Sequence, residues 1–286
     1  MNDRPQEGSF QTSDGISIFY RWIPGKQTDF FITLIHGFAE HSGRYDSLMR
    51  FFSETGRAVF AYDLRGHGRS GGERGTLHRW PQYWSDLQQL VTHIRKTSGW
   101  PSQKMLLFGH SMGGLIALEG ARQDSHQIQG LILSSPCLGI KINLFLRLFN
   151  QVIAEGLPFF QYPHPVAPEK LSHDVQIQKQ YASDPLILKS IRAGLLREMM
   201  KAMDQLKSGE ICLDMPLWIL AAGEESVVDL NQTLSIYARI DAPFKKIKIL
   251  DSCRHEIFNE LESKIAYDTT RIALAQIQEF SNTRRF

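Results

Sequence analysis

The sequence lacks most of the features that would assign it a class at once. No run of 18 or more apolar residues occurs among its 286 residues, which argues against a membrane-spanning helix. Lys and Arg number 32 against 30 Asp and Glu, a formal net charge of +2, so the strongly basic face of a nucleic-acid binder is missing. There are three cysteines, Cys137, Cys212 and Cys253, odd in number and widely spaced. That count excludes a disulfide framework and suits a reducing compartment; without CxxC spacing, no structural zinc site is expected. The first ten residues, MNDRPQEGSF, lack the apolar stretch of a secretory signal, so the expected location is cytoplasmic, with peripheral membrane contact left open. Internal repeats and low-complexity stretches are absent, and the composition excludes collagen-like, coiled-coil and disordered classes.

What is present is an alternation of short β-rich runs with helical ones, the pattern of a mostly parallel sheet with crossover helices. Ile16 to Trp22 alternates apolar and polar after the turn Ser13-Asp14-Gly15 and reads as an early edge strand. Phe30 to Ile35 (FFITLI) is a continuous apolar run and reads as a buried central strand. Ala58–Tyr62, Met105–Phe108, Leu131–Leu133, Leu217–Leu220 and Ile247–Leu250 have the same character. Helical patterns lie between them at Tyr83–Ile94, Met112–Arg122, Leu230–Ile240 and Ser263–Phe280.

Between about Leu138 and Glu210 the strands vanish. Ile142, Phe145, Leu146, Phe149, Val152 and Ile153 recur at helical spacing, with Lys141, Asn143, Arg147, Asn150 and Gln151 opposite. Phe159 to Pro168 holds three prolines and is expected to be irregular. The division that follows is a core of residues 1–137 and 211–286 with a helical cap at 138–210, since a long insertion between sheet strands is commonly a lid. An ordinary helical subdomain that only covers the sheet is the plainer alternative.

Chemistry enters at Gly109-His110-Ser111-Met112-Gly113, a G-x-S-x-G pentapeptide between a predicted strand and a predicted helix. A strand that turns sharply into a helix needs small residues on both sides of the turn, and leaves the serine exposed at the positive end of the helix dipole. Ser111 is therefore the candidate nucleophile. A developing oxyanion needs donors, and the backbone N–H groups of Met112 and of Phe38, which follows FFITLI and His36-Gly37, are the candidates. His36 reads as structural, holding that loop by bonds to backbone.

Three longer strings carry a family resemblance. His36-Gly37-Phe38-Ala39-Glu40-His41-Ser42-Gly43-Arg44-Tyr45, Tyr62-Asp63-Leu64-Arg65-Gly66-His67-Gly68-Arg69-Ser70 and the GHSMGG elbow resemble the markers of the monoglyceride lipase and lysophospholipase group of α/β-hydrolases. Ser183-Asp184-Pro185-Leu186 resembles part of that group's cap. Within the group the chain is most similar to the bacterial lysophospholipase L2 type. The resemblance implies an α/β-hydrolase fold, with helices on both faces of the sheet, and hydrolysis of a single-chain lipid ester, a monoacylglycerol or a lysophospholipid. The glycine-rich RGHGRSGG stretch lacks G-x-x-x-x-G-K-[ST], so it reads as a tight loop rather than a phosphate cradle, with Arg65, His67 and Arg69 structural or supporting.

In α/β-hydrolases the chain order is Ser, acid, His. Four histidines follow the strand carrying Ser111, namely His126, His164, His173 and His255, and only His255 follows a late predicted strand, where the family pattern also has its histidine. The acid belongs after Leu217–Leu220, in Ala221-Ala222-Gly223-Glu224-Glu225-Ser226-Val227-Val228-Asp229. The family usually has an aspartate there and a second one four residues later, and counting back from Asp229 selects Glu225. The turn is one residue short of the pattern, and a glutamate's extra methylene can span the difference. Glu224 and Asp229 remain alternatives. No metal and no organic cofactor is needed for this chemistry.

Three further expectations concern the surroundings. The helix at Ile142–Ile153 lines an acyl channel or touches a membrane with Leu144 and Leu148 exposed. Glu40 and Arg44, one helical turn apart, form an ion pair at the polar end of the pocket or fix the loop behind the oxyanion donor. Cys253, two residues before His255, is more simply a packed thiol than a reactive one. Two rival functions stand beside the ester hydrolase. One is a proline-releasing aminopeptidase, which would need acids such as Glu155, Glu169, Asp174 and Asp184 to hold an amine. The other is a catalytically silent binding protein of the same fold.

Overall fold

The computed structural model describes residues 4–98, 104–163 and 166–283. The chain opens with β1 (Gln6–Gln11), β2 (Ser17–Ile23) and β3 (Gln27–Ile35), then α1 (Asp46–Ser53) and β4 (Arg57–Tyr62). Alternation follows with α2 (Pro81–Ser98), β5 (Lys104–His110), α3 (Met112–Gln123) and β6 (Ile128–Ser134). An insertion then holds α4 (Leu144–Gly156), β7 (Gln161–Pro163), α5 (Val175–Ser183), β8 (Ser190–Arg192) and α6 (Ala193–Gln205). The chain returns through β9 (Ile211–Cys212) and β10 (Leu217–Ala222) to α7 (Leu230–Arg239), β11 (Ile240–Asp241), β12 (Lys245–Leu250) and α8 (Ser263–Thr283).

Eight strands form one sheet in the order β1-β2-β4-β3-β5-β6-β10-β12. The pairs β1–β2 and β2–β4 are antiparallel and every later pair is parallel. FFITLI lies mid-sheet, with Phe31, Ile32 and Ile35 fully buried, because both faces of a parallel sheet are covered by its crossover helices. One face packs against Tyr83, Leu87 and Leu90 of α2, Leu115 and Leu118 of α3, and Ile236 of α7. The other packs against Leu48 and Phe52 of α1 and Ala266, Ala273 and Ile277 of α8. This is the α/β-hydrolase architecture expected from the motifs.

Several details differ from the sequence expectations. Ile16–Trp22 belongs to the second strand, not the edge, because polar, exposed β1 (QEGSFQ) pairs outside it. Ile247–Leu250 belongs to the opposite edge strand, β12, where Lys246 and Lys248 stand outward, so it is not a buried central strand. The insertion is not free of strands: β7 and β8 pair antiparallel, with Tyr162 opposite Ile191. Helix α4 is turned from its expected face, since Asn150 is fully buried while Phe145 is 79% and Val152 69% exposed. It meets α6 through the small Ala154 and through Asn150, whose Nδ2 donates to Ala193 O, so its large apolar side chains are left outside. The side chain of Leu144 lies outside the described residues.

Close approach between α2 and α3 depends on Gly120. A Cβ there would meet Trp84 Cε3 at 2.0 Å, and Trp84 is held between the two helices by the core around it. Gly120→Ala is expected to destabilise the protein by roughly 1–3 kcal/mol through overpacking, lowering the thermal midpoint by several degrees. An unchanged midpoint in calorimetry would mean that the α2–α3 contact gives way more easily than the geometry implies.

Candidate active site

The carboxyl ends of β3 and β5 lie side by side in the sheet, as do those of β10 and β12 on the far side of β6, in register at Ile35–Gly109 and Ala222–Leu250. The loops leaving those ends carry the candidate residues, as in other open α/β sheets. Ser111 follows β5 with φ 51° and ψ −118°, a backbone conformation unusual for a residue with a Cβ. Its neighbours are glycines for a steric reason: a Cβ on Gly109 would lie 2.5 Å from Gly113 O, and one on Gly113 would lie 2.1 Å from Ile35 O. The turn is fixed by backbone bonds from Ser111 N to Ser134 O (3.0 Å) and from Cys137 N to Ser111 O (2.9 Å). Ser111 is the N-cap residue of α3, and Met112 opens that helix, where the first N–H groups have no partner within the helix.

His255 and Glu225 come together. His255 Nδ1 is 2.8 Å from Glu225 Oε2, and both side chains are buried, 4% and 2% exposed. Nδ1–H donating to the carboxylate leaves the lone pair of the neutral ring on Nε2. Glu225 Oε1 accepts from the N–H groups of Val227 (2.8 Å) and Val228 (3.2 Å), which fixes the carboxylate plane. Burial alone would depress the His255 pKa, but the charge of Glu225, with Glu256 and Glu40 behind it, raises it above the ordinary value. Burial pushes Glu225 upward, yet His255 and the two N–H donors hold its carboxyl below the ordinary range.

The alternative acids are engaged elsewhere. Asp229 caps α7, accepting from Gln232 N. Glu224 is half-exposed and lies 3.2 Å from His173 Nε2. Among the other histidines, His126 is exposed beside Asp124 and His173 faces Glu260 and Glu224, while His164 lies outside the described residues.

His36 and His67 are buried structural residues. His36 Nε2 accepts from Leu64 N at 2.9 Å and its Nδ1 meets Gly37 O at 2.7 Å; His67 Nδ1 meets Arg65 O at 3.1 Å. Burial presses both pKa values down to about 3. Arg65 pairs with Asp86 and Asp14, and Arg69 with Glu7, so the RGHGRSGG loop is a braced turn. Cys253 is fully buried and burial raises its thiol pKa to about 11.

Two neighbours of the site escaped the sequence reading. His110 is buried, its ring 4.8 Å from that of His255, and burial together with His255 and Arg44 keeps its pKa well below the ordinary value. Glu256 is 5% exposed and accepts two bonds from Arg44 Nη2, at 2.5 and 2.8 Å. Arg44 Nε is also 3.4 Å from Glu40, whose Oε1 accepts from Gly37 N and Tyr45 OH. The expected Glu40–Arg44 pair is therefore one side of a buried three-member network. The i, i+4 spacing made that side visible, but nothing in the sequence tied Glu256 to Arg44 across 212 positions.

Ser111, His255, His110, Glu40 and Glu256 open onto one cavity of about 480 Å³. Phe38, Met112, Ile140, Leu196, Met199 and Val227 line its apolar part, and Glu40, Ser111, His255 and Glu256 are among its polar walls. Of the four acids of the insertion considered as amine ligands, none lines it. Among the described residues no cluster of His, Cys, Asp and Glu is suited to a metal ion, and no helix is long and apolar enough to cross a membrane.

Residues 26–262 match the profile of the family described as serine aminopeptidase, S33. Human monoglyceride lipase is 30% identical over 257 residues, covering 87% of this chain and 83% of that protein. The Escherichia coli protein YnbC is 27% identical over 280 residues, and the chain spans 47% of its length. The crystal structure of Paleococcus ferrophilus monoacylglycerol lipase superposes with a TM-score of 0.78 at 25% identity, covering 96% of this chain and 99% of that one.

The electrostatics give a direct test. The raised pKa means that His255 stays protonated above pH 6.5, its ordinary value, and becomes a free base only as pH rises through the shifted one. In an NMR titration His255 is expected to titrate above that ordinary value, and lower in Glu225→Gln than in the wild type. An equal or higher value in Glu225→Gln would remove Glu225 as the source of the shift.

Proposed function

Because the chain belongs to the serine aminopeptidase S33 family of α/β-hydrolases, we propose that it is a serine hydrolase of single-chain lipid esters working through an acyl-enzyme on Ser111. The observation that carries this reading is that His255, paired with buried Glu225, opens with Ser111 onto one largely apolar cavity. In the first step His255 Nε2 takes the Ser111 proton as Oγ attacks the ester carbonyl, while the N–H groups of Phe38 and Met112 hold the oxyanion. His255 then protonates the departing alcohol. In the second step water, deprotonated by His255, attacks the acyl-enzyme; the proton passes back to Ser111 as the fatty acid leaves. Glu225 holds the ring and favours its cationic form in both steps.

The polar wall bears on the alcohol. Glu40 and Glu256 present two carboxylates against the single guanidinium of Arg44, while Lys141 and Lys170 also line the cavity; a phosphate placed beside the two carboxylates would meet net negative charge from that group. An uncharged glycerol meets hydrogen-bond acceptors instead. This favours a monoacylglycerol over a lysophospholipid, and the relatives named for monoglyceride hydrolysis point the same way. No acid of the insertion lines the cavity wall, so the cap ligands that a proline-releasing aminopeptidase would use for a substrate amine are missing from it.

The cap, residues 138–210 in this reading, also suits delivery from a lipid surface. Phe145, Leu148, Phe149 and Val152 are exposed on α4, and Leu157 follows at 60%. Leu146 of the same helix both lines the cavity and is 37% exposed, so the apolar surface runs from the outside into the site. A lipid leaving a bilayer along that path stays in apolar contact.

Two experiments test the reading. A fluorophosphonate is expected to label the wild type and not Ser111→Ala, and kcat/KM is expected to be at least about 10-fold higher for a monoacylglycerol than for a lysophosphatidate of the same chain, the effect of roughly 1.4 kcal/mol. Equal rates on both lipids would remove the electrostatic argument, and labelling of Ser111→Ala would remove the nucleophile. In sedimentation with phosphatidylcholine vesicles, Phe145→Asp with Val152→Asp is expected to lower the bound fraction about 10-fold or more. If the pair instead converts a dimer to a monomer with vesicle binding unaltered, the patch covers a second copy of the chain.

A further inference from the structure

Glu260 lies outside the cavity, yet its carboxylate joins two parts of the molecule that the chemistry must keep in fixed relation. Its side chain is 1% exposed and follows the short 3-10 turn Ile257–Asn259. Oε1 accepts from the backbone N–H of Arg254 at 2.8 Å, the residue before His255, and lies 3.0 Å from His173 Nδ1. Oε2 accepts from the backbone N–H groups of His173 (3.0 Å) and Leu261 (3.2 Å). Around this centre the same two segments are tied again: Glu256 N donates to Leu171 O, Ser172 Oγ to Asn259 O, and Arg254 Nη1 to Glu169 O. The free side of His173 reaches Glu224, the residue before Glu225.

From this we propose that Glu260 is a positioning residue for the base: one buried carboxylate fixes the loop that presents His255 and docks residues 171–173 of the cap onto it. The inference rests on His255 being the base. A charged, fully occupied carboxylate suits the task because both of its oxygens receive backbone N–H groups. A glutamine would have to turn its NH2 toward one of those donors, against Arg254 or against His173 and Leu261, whichever way it is placed. The side chain touches neither Ser111 nor the cavity, so its effect on the reaction must pass through the position of His255.

The test is the rate of fluorophosphonate labelling at Ser111, with folding checked by circular dichroism. Folded Glu260→Gln is expected to label roughly 10-fold or more slowly, as a base held about an ångström out of place would cause. On a small aryl ester its kcat is expected to fall by a similar factor while KM stays within about twofold, a split that lost substrate contacts would not give. His173→Ala removes only the imidazole and is expected to slow labelling by about threefold. The double variant is expected to be no slower than Glu260→Gln alone, since both act through one carboxylate. If Glu260→Gln does not fold, His173→Ala decides alone. Labelling within about twofold of wild type in the folded variants, or additive effects in the double variant, overturns the proposal. A wild type that is not labelled at all overturns the chemistry on Ser111 and is told apart from that result.

Discussion

The left-handed backbone of Ser111 is the constraint from which most of the central structure follows. A non-glycine residue at φ 51° is held there against its own preference. What holds it is the convergence of β3, β5 and the loop after β6 on a single turn. Gly113 packs against the carbonyl of Ile35, Gly114 against Pro136, and Gly109 against Gly113, each too close for a Cβ. The glycines are thus contacts between strands as much as conformational aids. The same approach sets the start of α3 beside the loop that follows β3, so Phe38 and Met112 both line one cavity.

Most of this centre was legible in the sequence because it rests on steric demands that only certain residues meet. Glycines around a serine between an apolar run and a helical pattern point to the turn, and FFITLI reads as a strand covered on both faces. Glu225 was reachable by counting back from Asp229 on the family pattern, and its carboxylate lies 2.8 Å from His255. What stayed hidden has physical reasons too. Strand β1 is polar and exposed, held by backbone pairing alone, so no apolar signal marks it. The outward turn of α4 depends on its partner: periodicity shows that a helix has an apolar stripe, not that α6 meets it through Asn150 and Ala154 instead. Glu256 and Glu260 look like surface charges in a linear reading and are buried only because Arg44, His173 and backbone N–H groups converge on them.

Burying that much charge near His255 has a consequence for its protonation. Arg44 answers two carboxylates at once, and burial together with the charge of Glu256 raises the pKa of Glu40. The negative excess favours the imidazolium of His255, the form any base must pass through when it takes a proton. His110 and His36, buried and held neutral, add no competing positive charge. The network is therefore electrostatic as well as structural, joining the Gly37 N–H on one side of Ser111 to the segment after His255 on the other.

The insertion is attached to the core unevenly, and this bears on how a lipid would enter. Its second half is tied down: Asp184 meets His41 at 2.8 Å, Leu188 N donates to Ala39 O, Arg74 donates to Leu186 O, and the segment at 171–173 is bound to the loop of His255. The polar bonds described for α4 stay within the insertion, from Arg147 to Asp204, Asn150 to Ala193 and Arg197 to Ala154 O. A helix held this way can shift on α6 without breaking a bond to the loops that carry Ser111 and His255. The part of the insertion with the most exposed apolar surface is thus the part with the least hold on the loops of Ser111 and His255. The segment at 171–173 is bound directly to the loop of His255.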